Sequence, residues 1–274
     1  MQRELDVALR IAREAGRILL EGHERGVAPE VVEHKGVIDL VTPYDRRSEA
    51  LVRERLVEAF PGDAILAEEG GQTGAARRVW CVDPLDGTTN FAHGLPFFCV
   101  SIALLVDGEA AVGVVHAPAL GWTFSRVAGE APRFNDAPLP TLRPLGDLSS
   151  ALLMFGCGYD RTTRPERYLT MIQTFMTRTQ GLRRTGSAAL DCCIVARGQV
   201  DGYLEGNLHP WDLAAGVLIA RGAGALASDV DGAAFDPFTG RLVLGRPGLH
   251  DRMLEVIREH DVFLHEKDGS YARI

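Results

Sequence analysis

Apolar residues recur at helical spacing over residues 2–22, where Leu5, Ala8, Leu9, Ala12 and Leu19 share one face. Gly22 and Gly26 end this predicted helix. Residues 31–35 read as a short strand. A second helix opens at Thr42-Pro43, because proline suits the first helical position, and Leu51, Val52, Leu56 and Phe60 form its inward stripe. Pro61-Gly62 stops it, and the period then changes. AILA (64–67) and VWCV (79–82) are short continuous apolar runs, as buried strands are. FFCVSIALLV and AAVGVVHA flank Asp107-Gly108, a hairpin signal. Strand-like stretches continue to about residue 135.

The segment APLPTLRPLGD (137–147) holds three prolines and reads as a connection between halves. The expected division is an N-terminal α+β half over residues 1–142 and a C-terminal α/β half over residues 143–274. In the second half, ALLMFG (151–156) and VDGYLE (200–205) read as strands, and residues 165–179 and 186–197 as helices, the latter closed by Gly198. DLAAGVLIARGAGA (212–225) is apolar nearly all round and predicts a buried helix. PGLHDRMLEVIREH (247–260) is the last amphipathic helix. DVDGAAFD (229–236) lacks the ligand spacing of a calcium loop and reads as a hairpin turn at Asp231-Gly232.

Composition changes this picture little. The 274 residues are 46% hydrophobic and 24% charged, the balance of an ordinary soluble protein. No apolar run is long enough to span a membrane, and the charged N-terminus lacks the apolar core of a signal peptide, so the expected location is cytoplasmic. The five cysteines include no C-x-x-C pair, which argues for free thiols rather than a disulfide framework or a zinc site. A net charge of −8 speaks against a nucleic-acid partner or an anionic membrane surface. It leaves anionic substrates open, since a bound metal inverts the local sign.

The candidate chemistry sits in acids. In WCVDPLDGTTNF (80–91) a buried strand delivers Asp83. Pro84 fixes the backbone and removes an N–H, which leaves the Leu85 carbonyl free to face a ligand. Asp86 follows, then Gly87-Thr88, whose N–H groups can open a helix and meet an anion. Two carboxylates, a carbonyl and a phosphate cradle suit a hard cation holding a phosphate. A plain turn with Asp86 as a cap is the competing, less favoured reading. Glu68 and Glu69 leave AILA on the same sheet edge as Asp83 if the two strands pair in parallel; otherwise they sit in a solvated loop. Asp212 opens the buried helix, either as an N-cap or as a further ligand. Thr42 and Asp45 have the spacing of a capping box. Carboxylates gathered within about 4 Å repel by roughly 4 kcal/mol per pair at an effective dielectric near 20, so a fold that converges them calls for cations.

DPLDGTTNF together with HPWDLAAG resembles the paired signatures of the inositol monophosphatase family. AEEG, DLVTPYD and RRTGSAALD fall in the family's order, so the likeness runs from about residue 35 to residue 226. The resemblance implies the layered αβαβα sandwich of the inositol monophosphatase and fructose-1,6-bisphosphatase type. It implies an Mg²⁺-dependent, lithium-sensitive phosphomonoesterase with two or three ions and no phosphoenzyme. Glu68, Asp83 and the Leu85 carbonyl would hold one ion, Asp83, Asp86 and Asp212 a second, and a third would sit near Glu68. Asp45, Thr88 and Glu68 would be catalytic, with Asp45 and Thr88 activating the water. Asp86, Gly87, Thr88, Gly186, Ser187, Ala188, Glu205 and Asp212 would meet the substrate. A homodimer is implied as well.

Thr89-Asn90-Phe91 matches the inositol-type members, where relatives acting on adenosine bisphosphate carry Lys after Asp-Gly-Thr. That points to inositol 1-phosphate or another small phosphorylated polyol or sugar, with fructose 1,6-bisphosphate as the alternative and a non-catalytic binding protein on this scaffold as the reading from another class. Two departures stand out. Arg221-Gly-Ala-Gly replaces the family's frequent Glu-Ala-Gly-Gly, and the loop after Lys35 is about a residue shorter than in animal members. His93, His116 and His209 read as hydrogen-bonded or surface residues. Arg183-Arg184 reads as a contact or as a solvated pair, and Arg161 and Arg164 stand in a loop within possible reach of substrate.

Overall fold

The structure is a computed structural model that describes residues 1–36 and 38–260; residues 261–274 of the expected second half lie outside the described residues. The first half contains α1 (Gln2–Arg25), β1 (Glu33–His34), β2 (Leu40–Val41), α2 (Pro43–Ala59), β3 (Ala64–Ala67), β4 (Gly71–Thr73), β5 (Arg78–Asp86) and α3 (Thr88–Ala92). The strands β6 (Cys99–Val106), β7 (Glu109–Ala117), β8 (Trp122–Val127), β9 (Arg133–Phe134) and β10 (Ala137–Pro138) follow. The second half contains β11 (Leu152–Phe155), α4 (Pro165–Met176), β12 (Gly181–Arg183), α5 (Ala188–Ala196), β13 (Gly202–Glu205), α6 (Pro210–Gly222), β14 (Leu226–Ser228), β15 (Leu242–Gly245) and α7 (Leu249–Glu259).

Two sheets organise these elements. One has eight strands in the order β10-β9-β8-β7-β6-β5-β3-β4, the other five in the order β12-β11-β13-β15-β14. Helices α1 and α2 pack on one face of the large sheet through Leu5, Ile11, Leu19, Val52 and Leu56. Helices α5 and α6 fill the space between the sheets, and α4 and α7 cover the outer face of the small one. The layers therefore run αβαβα, as the resemblance implied. The middle layer explains the composition of α6: a helix covered by sheet on two sides has no polar face to offer.

Most predicted elements form, and their boundaries shift for local reasons. The parallel pairing of AILA with VWCV, left open by the sequence, is present, with Ala67 opposite Val82, and Glu68 N donates to Val82 O at 3.2 Å. Strand β5 runs further than VWCV predicts, through Asp86, because a bulge carries it past Pro84. Asp83 pairs with Ser101 and Asp86 with Cys99, so three steps on one strand face two on the other. Pro84 has no N–H to give the ladder and sits where the pairing is broken. The hairpin between β6 and β7 turns at Asp107 and Gly108, both at positive φ (52° and 85°). Helix α5 starts at Ala188 instead of 186, since Gly186 is left-handed (φ 88°) and Ser187 extended. Helix α6 starts at Pro210, so Asp212 is its third residue and not its cap. Residues 177–179 fall outside α4. Strands β2, β4, β10, β12, β14 and β15 were not foreseen; all are short and carry no usable period, and β10 lies in the segment read as a connection.

Helices α5 and α6 cross closely. A Cβ on Gly216 would meet Cys192 Cβ at 2.7 Å and Ala189 O at 3.0 Å. Gly216→Val should therefore cost about 1–3 kcal/mol, the usual penalty for overpacking a core. Urea unfolding of this variant beside Gly62→Ala, whose added methyl meets nothing within 4 Å, checks the crossing. Equal midpoints would contradict it.

Candidate active site

The bulge in β5 turns the aspartates towards one point. Carboxylate oxygens of Asp83, Asp86 and Asp212 lie within 4.8 Å of one another. Each carboxylate is fixed by its own local bonds. Asp83 Oδ1 accepts from Leu85 N at 2.9 Å, across Pro84. Asp212 Oδ2 accepts from His209 N at 2.7 Å, reaching back over the first turn of α6. Asp86 Oδ2 accepts from Ser187 Oγ at 2.6 Å and from Ala189 N at 2.8 Å. Among the described residues these bonds of Asp83 and Asp212 use one oxygen of each, which leaves the other for a ligand. The donor set is hard oxygen, with the Leu85 carbonyl beside it, and that set fits a hard divalent cation.

These groups border a cavity of about 300 Å³. Of the residues predicted to act here, Glu68, Asp83, Leu85, Asp86, Gly87, Thr88, Gly186, Ala188, Glu205 and Asp212 line it. Asp45 and Ser187 do not; they sit behind the lining. Ser187 is buried and spends its hydroxyl on Asp86, so its place is that of a support. Asp45 is fully buried in the first turn of α2. Its Oδ2 accepts from Thr42 N at 2.9 Å and Thr42 Oγ at 2.6 Å, the predicted capping box. Its Oδ1 accepts from Thr88 Oγ at 3.0 Å. The same hydroxyl lies 3.0 Å from Leu85 O, so one proton has two acceptors. Gly87 (φ 92°) must be glycine, because a Cβ would lie 2.8 Å from Phe97 O.

Glu68 stands apart from the three aspartates and is engaged by Lys35, whose Nζ donates to Glu68 Oε1 at 3.0 Å and to Glu69 Oε1. Glu49, which was not foreseen, holds the loop from below by accepting from Glu69 N and Gly70 N, both at 2.8 Å. On the far side, Tyr203 Oη donates to Glu205 Oε2, and Thr185 Oγ donates to the buried Asp191. Gly156 has no room for a side chain, since a Cβ would fall 1.6 Å from Glu205 Oε2. Arg161 and Arg184 line this side of the cavity, while Arg164 and Arg183 do not. Asn90 donates to Phe97 O at 2.6 Å and Thr185 O at 2.8 Å, so it ties the two halves of the rim together. The histidines take structural places: His116 bonds Thr123 Oγ at 2.9 Å, His209 stacks on Trp211, and His93 is exposed. Asp191 shows in the sequence only as a polar residue interrupting an apolar run, Glu49 as one of several charges on a polar helix stretch, and Tyr203 as an ordinary strand residue.

Burial dominates the electrostatics. It pushes Asp83 and Asp212 well above the ordinary carboxylate range, with mutual repulsion adding to it. Asp86 also rises through burial, held back by its bonds to Ser187, Ala189 and Ala188. Glu68 and Glu205 rise to about 7 and Asp45 to about 6, again through burial first. A raised acid binds more protons folded than unfolded, so its share of stability is lost as pH rises through the folded pKa. His116 and His209, both lowered to about 4 by burial, act the opposite way up to about pH 6.5. Above that only the acids remain. The metal-free chain should therefore melt at falling temperatures from about pH 6.5 to 8.5, and Mg²⁺ should restore the loss most at the upper end. Melting curves in EDTA and in Mg²⁺ test this; a flat metal-free profile would refute the crowded-acid account.

Comparison with known proteins gives the family. The model of the inositol monophosphatase family matches residues 1–261. Over 258 residues the chain is 37% identical to the Nus factor SuhB of Vibrio cholerae, covering 93% of this chain and 96% of that protein. Over 260 residues it is 38% identical to the inositol-1-monophosphatase of Synechocystis sp., covering 93% and 90%. The structure is similar to that of the inositol monophosphatase from Anabaena (Nostoc) sp., with a TM-score of 0.86 at 36% identity over 96% of this chain and 98% of that one. With its fold, its converging acids and these relatives, the chain belongs to the inositol monophosphatase family.

Proposed function

We propose that this chain is an Mg²⁺-dependent phosphomonoesterase acting on a small phosphorylated polyol, with inositol 1-phosphate as the leading substrate. The observation that carries the reading is the convergence of Asp83, Asp86 and Asp212 beside the hydrogen-bonded pair Thr88–Asp45. Two or three divalent cations, held by Glu68, Asp83, the Leu85 carbonyl, Asp86 and Asp212, would supply charge for a phosphate dianion and acidify a bound water.

The chain's own residues do the rest. Thr88 Oγ lines the cavity and accepts the proton of a water there, passing its own to Asp45 Oδ1 at 3.0 Å. Asp45, raised to about 6, is suited to take a proton near neutral pH. Thr42 keeps its carboxylate aimed at Thr88. Backbone N–H groups of Gly87 and Thr88 orient the phosphoryl oxygens. Glu205, the Gly186–Ala188 turn, Arg161 and Arg184 surround the polyol hydroxyls. Asn90 acts by fixing the rim, so the inositol-type Thr89-Asn90 signature bears on loop shape. A homodimer and a cytoplasmic location belong to the same reading.

Two other readings have an observation each. Arg161 and Arg184 on the polyol side could hold a second phosphate, which favours fructose 1,6-bisphosphate. Relatives called Nus factor favour a binding role on the same scaffold, against which stands the complete set of acids and the intact Thr88–Asp45 bond.

Asp83→Asn should lower Mg²⁺-dependent phosphate release at least roughly 100-fold, the scale for damage at a metal site, while circular dichroism stays unchanged. Near-normal turnover in that variant would sink the assignment. A substrate panel in Mg²⁺, repeated with added Li⁺, decides among inositol 1-phosphate, fructose 1,6-bisphosphate and adenosine bisphosphate. The expected order places inositol 1-phosphate first, with Li⁺ inhibiting. No phosphate release from any of the three would favour the binding role.

A further inference from the structure

A second cavity, of about 780 Å³, opens at the other end of α6. Arg221 in its wall is nine residues beyond Asp212, which is roughly 13 Å along the helix axis at 1.5 Å per residue. The cavity lies between the Asp107-Gly108 hairpin, the last turns of α6 and the segment 235–238. Part of its wall is apolar: Val79, Leu105, Val217 and Phe238 are all buried, and Phe235 packs against the same core.

The charges around it are unevenly satisfied. Asp107 is held by both ends of the Arg77 guanidinium, at 2.6 and 2.5 Å. Asp236 caps the backbone N of Phe238 at 3.0 Å. Glu109 is exposed at the head of β7. Arg126 donates to Leu218 O at 2.6 Å and Glu130 O at 3.0 Å, using Nη1 and Nε. Among the described residues the exposed Arg221 side chain makes no hydrogen bond, and neither arginine has a carboxylate partner within 4.0 Å. Two arginines beside a helix C-terminus gain from its dipole. The dipole needs only the bond that Arg126 already makes, and a second guanidinium beside a half-buried first one adds repulsion. Burial, and then the charge of Arg221, push the Arg126 guanidinium below its ordinary range.

The stretch that departs from the family's Glu-Ala-Gly-Gly builds this corner. Arg221 puts a cation where the family often has an acid. Gly222, in place of Ala, makes room for Arg126, since a Cβ there would lie 2.3 Å from Arg126 Nε. The departure lies outside the lining of the acid site.

We propose that this cavity is a second ligand site that takes a small organic anion. Its carboxylate, sulfonate or phosphate group would sit between Arg126 and Arg221, and its flat apolar body against Phe235, Phe238 and Val217. The assignment does not depend on how the acid site is read.

The test is a fluorescence titration with 8-anilinonaphthalene-1-sulfonate, in EDTA so that the acid cluster repels the probe. One saturable site per chain is expected. Arg221→Glu, and Arg221→Gln as its milder counterpart, should weaken binding about tenfold, the effect of losing a charge-assisted hydrogen bond. Ala76→Trp, which fills the mouth, should remove the site. N-phenyl-1-naphthylamine, with the same rings and no sulfonate, should bind about tenfold more weakly to the unaltered chain. Melting curves establish that each variant is folded. The proposal is overturned if no saturable site exists, if folded Arg221 or Ala76 variants bind as the unaltered chain does, or if the neutral probe binds as tightly.

Discussion

Repulsion among carboxylates that the fold buries side by side is the constraint on which the rest of this structure depends. Asp83, Asp86 and Asp212 come from two strand positions and one helix, and nothing local obliges them to meet. They are held in place by bonds from Leu85 N to Asp83, from Ser187 Oγ, Ala188 N and Ala189 N to Asp86, and from His209 N to Asp212. Every one of those donors belongs to the backbone or to a buried side chain, so the geometry survives without an ion. The cost is carried as raised proton affinity, and it turns the site into a place where a divalent cation is worth more than it would be in an open acidic loop.

That constraint explains the middle layer. Asp86 is on the large sheet, while the groups that hold it are at the start of α5, and Asp212 is at the start of α6. The two helices must keep a fixed separation for the acids to converge, and Gly216 against Ala189 and Cys192 sets it. Ser101 Oγ on β6 donates to Trp211 O at 3.0 Å, which pins the first turn of α6 to the large sheet. A site built across layers needs all of the layers in place, and for that reason so much of the chain is apolar and buried around so few reactive atoms.

The sequence displayed the parts of this arrangement that depend on neighbouring residues. WCVDPLDG announced a strand running into paired acids, Thr42 and Asp45 announced a cap, and the all-round apolarity of residues 212–225 announced a helix between layers. What stayed hidden depends on partners far along the chain. Nothing near Ser187 says that its hydroxyl is spent on Asp86, which is 101 residues away. Asn90 reads locally as a turn residue, yet its amide bridges Phe97 and Thr185. Lys35 stands in sequence at the end of a predicted short strand, and only the fold sets its ammonium between Glu68 and Glu69. The extension of β5 to Asp86 was hidden for another reason: a bulge lets a strand continue past a proline that local rules treat as an end.

Helix α6 joins these themes. It is apolar along its length, so its charges are confined to its ends. At the N-terminus Asp212 benefits from the helix dipole and from a backbone N–H, and both effects favour the ionised acid. Its proton affinity is raised nonetheless, which measures how strongly burial and the neighbouring acids outweigh the helix. At the C-terminus Arg126 and Arg221 also match the dipole, and there too the Arg126 charge is disfavoured by burial and by its like-charged neighbour. At each end, charges of the same sign crowd one another. A buried helix with excess acid at one end and excess base at the other favours a cation at the first and an anion at the second, by the same electrostatic reasoning.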